Sequence, residues 1–513
     1  MTEQLARPGV YVTEVDGFSS AVVAVPTGIP VFLGYTAKNS AKTAKAASAT
    51  LPVRISSMVE YIDIFGAAPQ IEYDYVSNSQ ATPPYQANKA APAFGLYYGL
   101  ELFFNNGGGI CYVLSLGTYD DVISAGAFGK DVYTHALPVA AACTEADLLV
   151  MPDAVHLSFD DWVSVSQLTL QSCEQSQHII CVLDVHNGYL PADGTAQDPI
   201  TGGNGSGGFY KIAGLGEEFN KYGVSYYPWL NTNIVSLSDV DYSWISAASL
   251  PLVVADLTTE APALFPPSTS DALSPKLQSY LNIVNALTQA GDAVAVRQRH
   301  QSLMAVSPLY RSCMSNIATS VNLLPPATAM AGVYARTDHT FGVFQSPANT
   351  TIINAISPAV TISDQEQENL NMPLNGMAVN AIRTFPNYGL LVWGARTLAG
   401  NSDDWRYISV RRTMIMLEQS IKTALLSYVF QPNTNLTWVA ATSTISNFLN
   451  TQWKDGALVG SKAADAFSVS IGLGSTMSSQ DILDGVMNVT VKVALVHPAE
   501  FIVLTFQQQM QTS

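Results

Sequence analysis

Short runs that are apolar at every position recur along the first half of the chain, and segments of helical potential separate them. Val31-Phe32-Leu33-Gly34 and Ile110-Cys111-Tyr112-Val113-Leu114 are two of them, and others fall at 148–151 and 179–183. A strand apolar at successive positions, not alternate ones, expects cover on both faces. The helices between the runs supply that cover, which argues for an α/β layer built on a largely parallel sheet. The stretch 93–116 shows the pattern most clearly. Phe94, Tyr97, Tyr98, Leu102 and Phe103 fall at helical spacing. Asn105-Asn106-Gly107-Gly108-Gly109 then breaks the helix and opens the strand.

Other segments read as follows. Residues 8–15 form a short strand behind a Pro-Gly turn, and Gly17, Pro26, Gly28 and Pro30 punctuate a linker after it. Residues 36–50, rich in Ala, Lys, Ser and Thr, read as an exposed loop, and 187–208 as a long flexible one. A helical region near 276–322 ends at Leu324-Pro325-Pro326. Further on, Val410, Met414, Leu417, Ile421, Leu425 and Tyr428 make one apolar helix face, and Asp403 and Asp404 suit the positive end of that helix. A second helix carries Trp438, Ile445, Leu449 and Trp453 and stops at Gly456. Alternating strands follow at Phe467/Val469/Ile471 and Val489/Val491/Val493/Leu495. A last strand runs from Glu500 to about Gln507. No internal repeat of fixed period is present.

Composition narrows the function classes. The 513 residues carry 23 Lys+Arg and 40 Asp+Glu, 12% charged, about half the usual density for a soluble domain. On a compact surface of ~18,000 Å² that is one charge per ~290 Å². Such a surface is comfortable when other subunits cover much of it; a monomer coated in Ser, Thr, Asn and Gln meets the same composition. The net charge of −17 argues against a general nucleic-acid face. The dense basic patches, Arg297-Gln298-Arg299-His300 and Arg406…Arg411-Arg412, are too small to reverse that. Five cysteines fit a reducing compartment better than a disulfide framework. The first residues resemble no secretory leader and no run is long enough to span a membrane, so the expectation is a chain made and folded in the cytosol.

Motif chemistry points away from catalysis. Gly203-x-Gly205-x-x-Gly208 has the spacing of a dinucleotide fingerprint, but a Pro/Asp/Gly turn region precedes it where a strand is needed. Gly107-Gly108-Gly109 opens a strand, not a helix whose N-terminus would hold phosphate. Cys173, His178, Cys181 and His186 offer two thiols and two imidazoles at spacings unlike a zinc finger, and Cys181 reads as a buried strand residue. We expect no catalytic, cofactor-binding or metal site. A cytosolic α/β hydrolase with an unrecognised active site is the alternative from another class, and a scattered Ser/His/Asp set would be needed for it.

The C-terminal third resembles the contractile tail sheath proteins of phages and phage-like injection systems. Ala381-Ile382-Arg383-Thr384-Phe385-Pro386 carries the likeness, with Val392-Trp393-Gly394-Ala395-Arg396-Thr397-Leu398 and Trp405-Arg406-Tyr407-Ile408-Ser409-Val410-Arg411-Arg412. Phe448-Leu449, Trp453, Gly456-Ala457-Leu458 and Gly460 follow, and Val496-His497-Pro498-Ala499-Glu500-Phe501-Ile502 closes it. Upstream, Pro8-Gly9-Val10-Tyr11-Val12-x-Glu14, Phe104-Asn105-Asn106-Gly107-Gly108, Tyr226-Tyr227-Pro228-Trp229 and the stretch from Pro325-Pro326 to Pro347-Ala348-Asn349 are similar in the same order. Residues 262–324, with an additional Pro266-Pro267-Ser268, look expanded, and 472–481 lack the acidic, Asn-rich connection of the family.

The resemblance implies an α/β fold, mixed α+β overall, with an N-terminal linking arm (1–26), a sheath domain with surface insertions (27–360) and a C-terminal, tube-facing domain (361–513). It implies a helical homopolymer of stacked six-membered rings around an inner tube protein, contacting baseplate and terminal cap proteins, without nucleic acid or membrane insertion. The polymer would assemble in the cytoplasm and form part of a phage tail or phage-like particle. Two terminal strands would complete a neighbour's sheet: Val10, Tyr11, Val12, Glu14 and Val15 in one, and Glu500, Phe501, Ile502, Val503, Leu504 and Phe506 in the other. Pairing of these strands within their own chain is the alternative. Trp393, Gly394, Arg396, Trp405, Arg406, Arg411 and Arg412 form the core of the family motif.

Overall fold

The computed structural model describes residues 21–38, 51–77, 85–89, 94–128, 136–203, 207–266 and 274–503. The strand expected at 8–15, most of the 36–50 loop, Gly205, Pro267, Ser268, Leu504 and Phe506 lie outside the described residues. The chain forms two compact units, one of residues 26–412 with 497–513, the other of 1–25 with 413–496.

The larger unit is built on one sheet. Its strands, in chain order, are β1 (Pro30–Thr36), β2 (Val53–Ile55), β3 (Cys111–Thr118), β4 (Leu148–Val150), β5 (Ile180–Asp184), β6 (Gly223–Tyr227), β7 (Thr350–Thr351), β8 (Asn380–Phe385) and β9 (Gly389–Trp393). They lie in the order β7-β9-β8-β6-β5-β4-β1-β3-β2. The pairs from β8 to β3 are all parallel. Antiparallel β2 closes one side, and β9 and β7 close the other. The apolar runs form the centre: every residue of β1, β4, β5 and β6 is buried, as strands covered on both faces require.

The unit holds helices α1 (Met58–Phe65), α2 (Leu96–Asn105), α3 (Phe159–Ser176), α4 (Leu250–Leu264), α5 (Pro275–Ala286), α6 (Ala293–Val306), α7 (Pro308–Val321), α8 (Ala327–Phe341), α9 (Asp364–Asn371) and the start of α10 (Ile408–Leu425). Of these, α2, α3, α8 and α9 pack on that sheet. The expected helical region near 276–322 is three helices. Ser274, Asp292 and Ser307 accept backbone N–H bonds at their starts, and proline leads two of them, where its missing N–H costs nothing. The 187–208 segment is organised, in its described residues, by one buried carboxylate. Asp198 accepts from the amides of Gly194, Ile200 and Thr201 and from the Thr201 hydroxyl.

β8 and β9 follow residue 360 yet belong to this sheet, because β8 pairs in parallel with β6 through Asn380 and Ala381. The smaller unit takes α10 from Thr413 onward, α11 (Asn435–Lys454) and a two-stranded antiparallel sheet of β10 (Phe467–Ser470) and β11 (Thr490–Val493). Within it the amide of Val25 donates to Ser420 Oγ at 2.9 Å. Residues 500–503 pair with no strand among the described residues.

Candidate functional site: a buried arginine junction

Gly394 begins the junction. A Cβ there would stand 2.7 Å from Asn380 Oδ1, so only glycine lets the turn after β9 close on β8. Asn380 uses that approach: its Oδ1 accepts from the Arg396 amide at 2.7 Å, and its Nδ2 donates to the carbonyls of Ser225 and Arg396 at 3.0 and 2.8 Å. The side chain of one β8 residue thus ties β6 to the backbone of Arg396.

Arg396 is 2% exposed. Its Nε and Nη2 face the Glu500 carboxylate, with Nη2 at 2.7 Å from Oε2, and its Nη1 donates to the carbonyls of Asn371 and Gly400. Burial pushes the Glu500 carboxyl up, but Arg396, Asn371 and Tyr407 outweigh it and hold the group below its usual range. Arg412, 3% exposed, forks onto Asp338 at 2.8 and 2.6 Å and reaches Asp147 at 2.7 Å. The Tyr334 ring lies 4.9 Å away. Burial alone would push that guanidinium down; Asp338 and Asp147 hold it charged, well above its ordinary value. Two carboxyl groups share one cation, and burial pushes Asp338 up.

Arg411, 4% exposed, lies 4.6 Å from the Tyr222 ring and 4.9 Å from Trp405. Arg406 donates to the Ser402 carbonyl and pairs with Asp403. Trp393 ends β9 half-exposed, its ring 4.5 Å from Phe385. The basic cluster read at 406–412 is therefore no surface patch: Arg411 and Arg412 are interior. Their partners lie far off in sequence, and Asp338, Asp147 and Tyr222 were missed because nothing local marks them.

Open parallel sheets bind ligands beyond the carboxyl ends of their strands, at the point where strand order reverses. Here that point lies between β1 and β4, and the protein's own carboxylate fills it. Asp153, fully buried, accepts from Tyr35 N at 2.7 Å, Gly95 N at 2.5 Å and Leu96 N at 3.2 Å. At the end of β5, Asp184 accepts from Ala327 N at 2.8 Å. The starts of α2 and α8, where an anion would bind, are thus capped internally.

The two thiols adjoin each other, Cys173 on α3 against Cys181 on β5, both buried, but the two imidazoles turn elsewhere. The ring nitrogens of His178 lie 3.0 and 3.2 Å from the Ser176 and Cys143 carbonyls, and His186 faces the Leu157 carbonyl at 3.1 Å. Among the described residues no group of His, Cys, Asp and Glu side chains is placed to hold a metal, and no helix is long and apolar enough to cross a membrane. In the Gly-rich segment, Gly208 opens a short 3₁₀ turn (Gly208–Leu215).

Asp184 yields a prediction. Burial pushes its carboxyl up to about 7, against the opposing Ala327 N–H. A carboxyl whose folded pKa is raised holds its proton longer in the folded state, so stability falls as pH rises from about 4 to about 7. Asp184→Asn keeps an acceptor for Ala327 without the charge. The variant should be ~1 kcal/mol more stable than the parent at pH 8 and close to it at pH 5, as read by denaturant unfolding at both pH values. A variant less stable at pH 8 than at pH 5, relative to the parent, would refute this.

Residues 401–509 match the model of the phage tail sheath C-terminal domain. Along nearly its full length the chain is similar to two solved sheath structures. One is the PVC sheath complex of an extracellular contractile injection system in the contracted state, at 25% identity and TM-score 0.58, covering 99% of both chains. The other is the anti-feeding prophage helical sheath in the contracted state, at 26% identity and TM-score 0.57, covering 98% of this chain and 99% of that one. No curated protein sequence matches. Arg406, Tyr407, Arg411, Arg412 and Glu500 lie within the matched domain and Arg396 just ahead of it; with that domain and the full-length likeness to two sheaths, the chain is a structural subunit of the contractile-sheath type.

Proposed function

We propose that the chain polymerises as stacked six-membered rings around an inner tube, contacts baseplate and terminal cap proteins, and contracts to drive the tube through a target envelope. It does so without enzymatic activity, the energy coming from metastability of the extended lattice. The observation that carries this reading is the chain's end. After Glu500, whose side chain is tied to the body, Phe501, Ile502 and Val503 stand 69%, 80% and 87% exposed. Consecutive apolar residues left in water outside any helix or strand are suited to pairing with another copy. What supports a receiving surface in the smaller unit is that, among the described residues, β10 and β11 form a two-stranded sheet. A groove of about 700 Å³ beside β11 is lined by Met414, Leu417, Ile421, Leu425, Val491 and Val493. The filled crevice at Asp153 favours this reading over a hydrolase.

In this scheme the N-terminal strand with Val10, Tyr11, Val12, Glu14 and Val15 is the second link, and 361–513 is the tube-facing part. Each linking strand contributes several kcal/mol, from about four to six backbone bonds at ~0.5–1.5 kcal/mol each. Purified protein should form large tubular polymers by electron microscopy. Deleting residues 1–16 should leave a cooperatively unfolding subunit that no longer polymerises. A sharp monomer boundary in sedimentation over a wide concentration range would count against the whole reading.

A further inference from the structure

Glu500 does not behave as a strand residue waiting for a partner. Its carboxylate receives Arg396 Nη2 at 2.7 Å, Asn371 Nδ2 at 2.7 Å and the Tyr407 hydroxyl at 3.0 Å. Those donors come from three places: the end of α9, the turn after β9 and the approach to α10. His497, three residues earlier, packs its ring edge-on against Tyr407 at 6.0 Å. Beyond Glu500 the described chain is exposed and apolar.

A buried ion pair adds little to stability that a well-packed apolar pair would not. What a forked guanidinium supplies is direction: a planar donor pair fixes a carboxylate in position as well as in distance. Arg396 is itself fixed, since Asn380 grips its amide and its carbonyl and also holds the Ser225 carbonyl of β6. A continuous chain of charge-assisted and amide bonds thus runs from Glu500 through Arg396 and Asn380 into the middle of the sheet.

We propose that Arg396 is a positioning residue that clamps Glu500, so that the segment after residue 500 leaves the body from a fixed point and a pull on it is delivered to β8 and β6 through Asn380. This rests on the reading that the terminal segment joins a neighbouring subunit. It moves the start of the linking strand to Phe501 and makes Glu500 its anchor. Without the clamp, a pull would peel residues 497–500 off the body before reaching the sheet.

The test uses the full chain and four variants: Glu500→Gln, Arg396→Gln, the double Arg396→Gln/Glu500→Gln, and a deletion of 501–513. Unassembled subunits are melted, and polymers are measured for critical concentration and for fragment length under shear. Glu500→Gln should melt below the parent, because it strands the buried Arg396 charge, and should raise the critical concentration ~10-fold or more and shorten the fragments. Arg396→Gln should do the same; if its unpaired environment unfolds it, the double variant, which leaves no buried lone charge, takes its place. The deletion should abolish polymer. Parental critical concentration and fragment length in Glu500→Gln and in the double variant, with polymer lost in the deletion, would overturn the clamp and leave the linking segment standing. Parental polymers from the deletion would overturn both.

Discussion

Replacing Arg412 with methionine should destabilise the larger unit by ~3–5 kcal/mol, the largest single-residue effect we expect in this chain. Among the described residues the guanidinium is the cation that meets Asp147, Asp338 and the Tyr334 ring, in a largely buried site. Methionine fills the volume but leaves two carboxyl groups facing each other without it. Asp147 Oδ1 also holds the Ile29 amide at 2.7 Å, so the start of β1 loosens with it. Lysine should recover only part, since one ammonium cannot match the fork on Asp338. Methionine combined with Asp147→Asn and Asp338→Asn removes the stranded charge and should return most of the loss. Denaturant unfolding of the three variants decides it. A loss below ~1 kcal/mol for Arg412→Met would mean that the cluster is not under electrostatic load.

Asp153→Ala should cost about 3 kcal/mol or more, because it strands the buried amides of Tyr35, Gly95 and Leu96 at ~1–3 kcal/mol each before relaxation. Asparagine should not rescue it, in contrast to Asp184. Asp153 uses both oxygens, Oδ1 toward Gly95 and Leu96 and Oδ2 toward Tyr35, and a carboxamide would turn its NH₂ onto one of those N–H groups. The pH sign is the same as at Asp184. Burial pushes the Asp153 carboxyl up to about 6, opposed by the three amides, so its folded form gains a proton first on acidification. Its contribution to stability falls as pH rises from about 4 to about 6. Unfolding at pH 5 and pH 8 should show a flatter pH dependence in Asp153→Ala than in the parent. An unchanged slope, or an asparagine variant as stable as the parent, would rule this account out.

Several elements were legible because they depend on short-range pattern alone. The apolar runs at Val31, Cys111, Leu148 and Ile180 could bury both faces only as central strands, and all four are. The spacing of Val410, Met414, Leu417 and Ile421 dictated one face of α10, and Trp438 to Trp453 lie on α11. The likeness of the 381–412 motifs to sheath proteins also lay in the sequence, since the chain spells out the residues that carry it.

Strand order and partnership were decided only in three dimensions. Nothing in Asn380-Ala381-Ile382 says that it runs parallel to β6, some 150 residues earlier, because a parallel pair has no connecting turn to read. Arg411 and Arg412 sit in a polar stretch and read as surface charge until Tyr222, Asp147 and Asp338 arrive from 74 to 265 residues away. Glu500 reads as the first residue of a strand, yet Arg396 holds it across 104 residues of chain. Periodicity records which face a residue turns inward; it carries no information about which distant charge will meet it there, and for a buried ion that partner decides whether burial is possible at all.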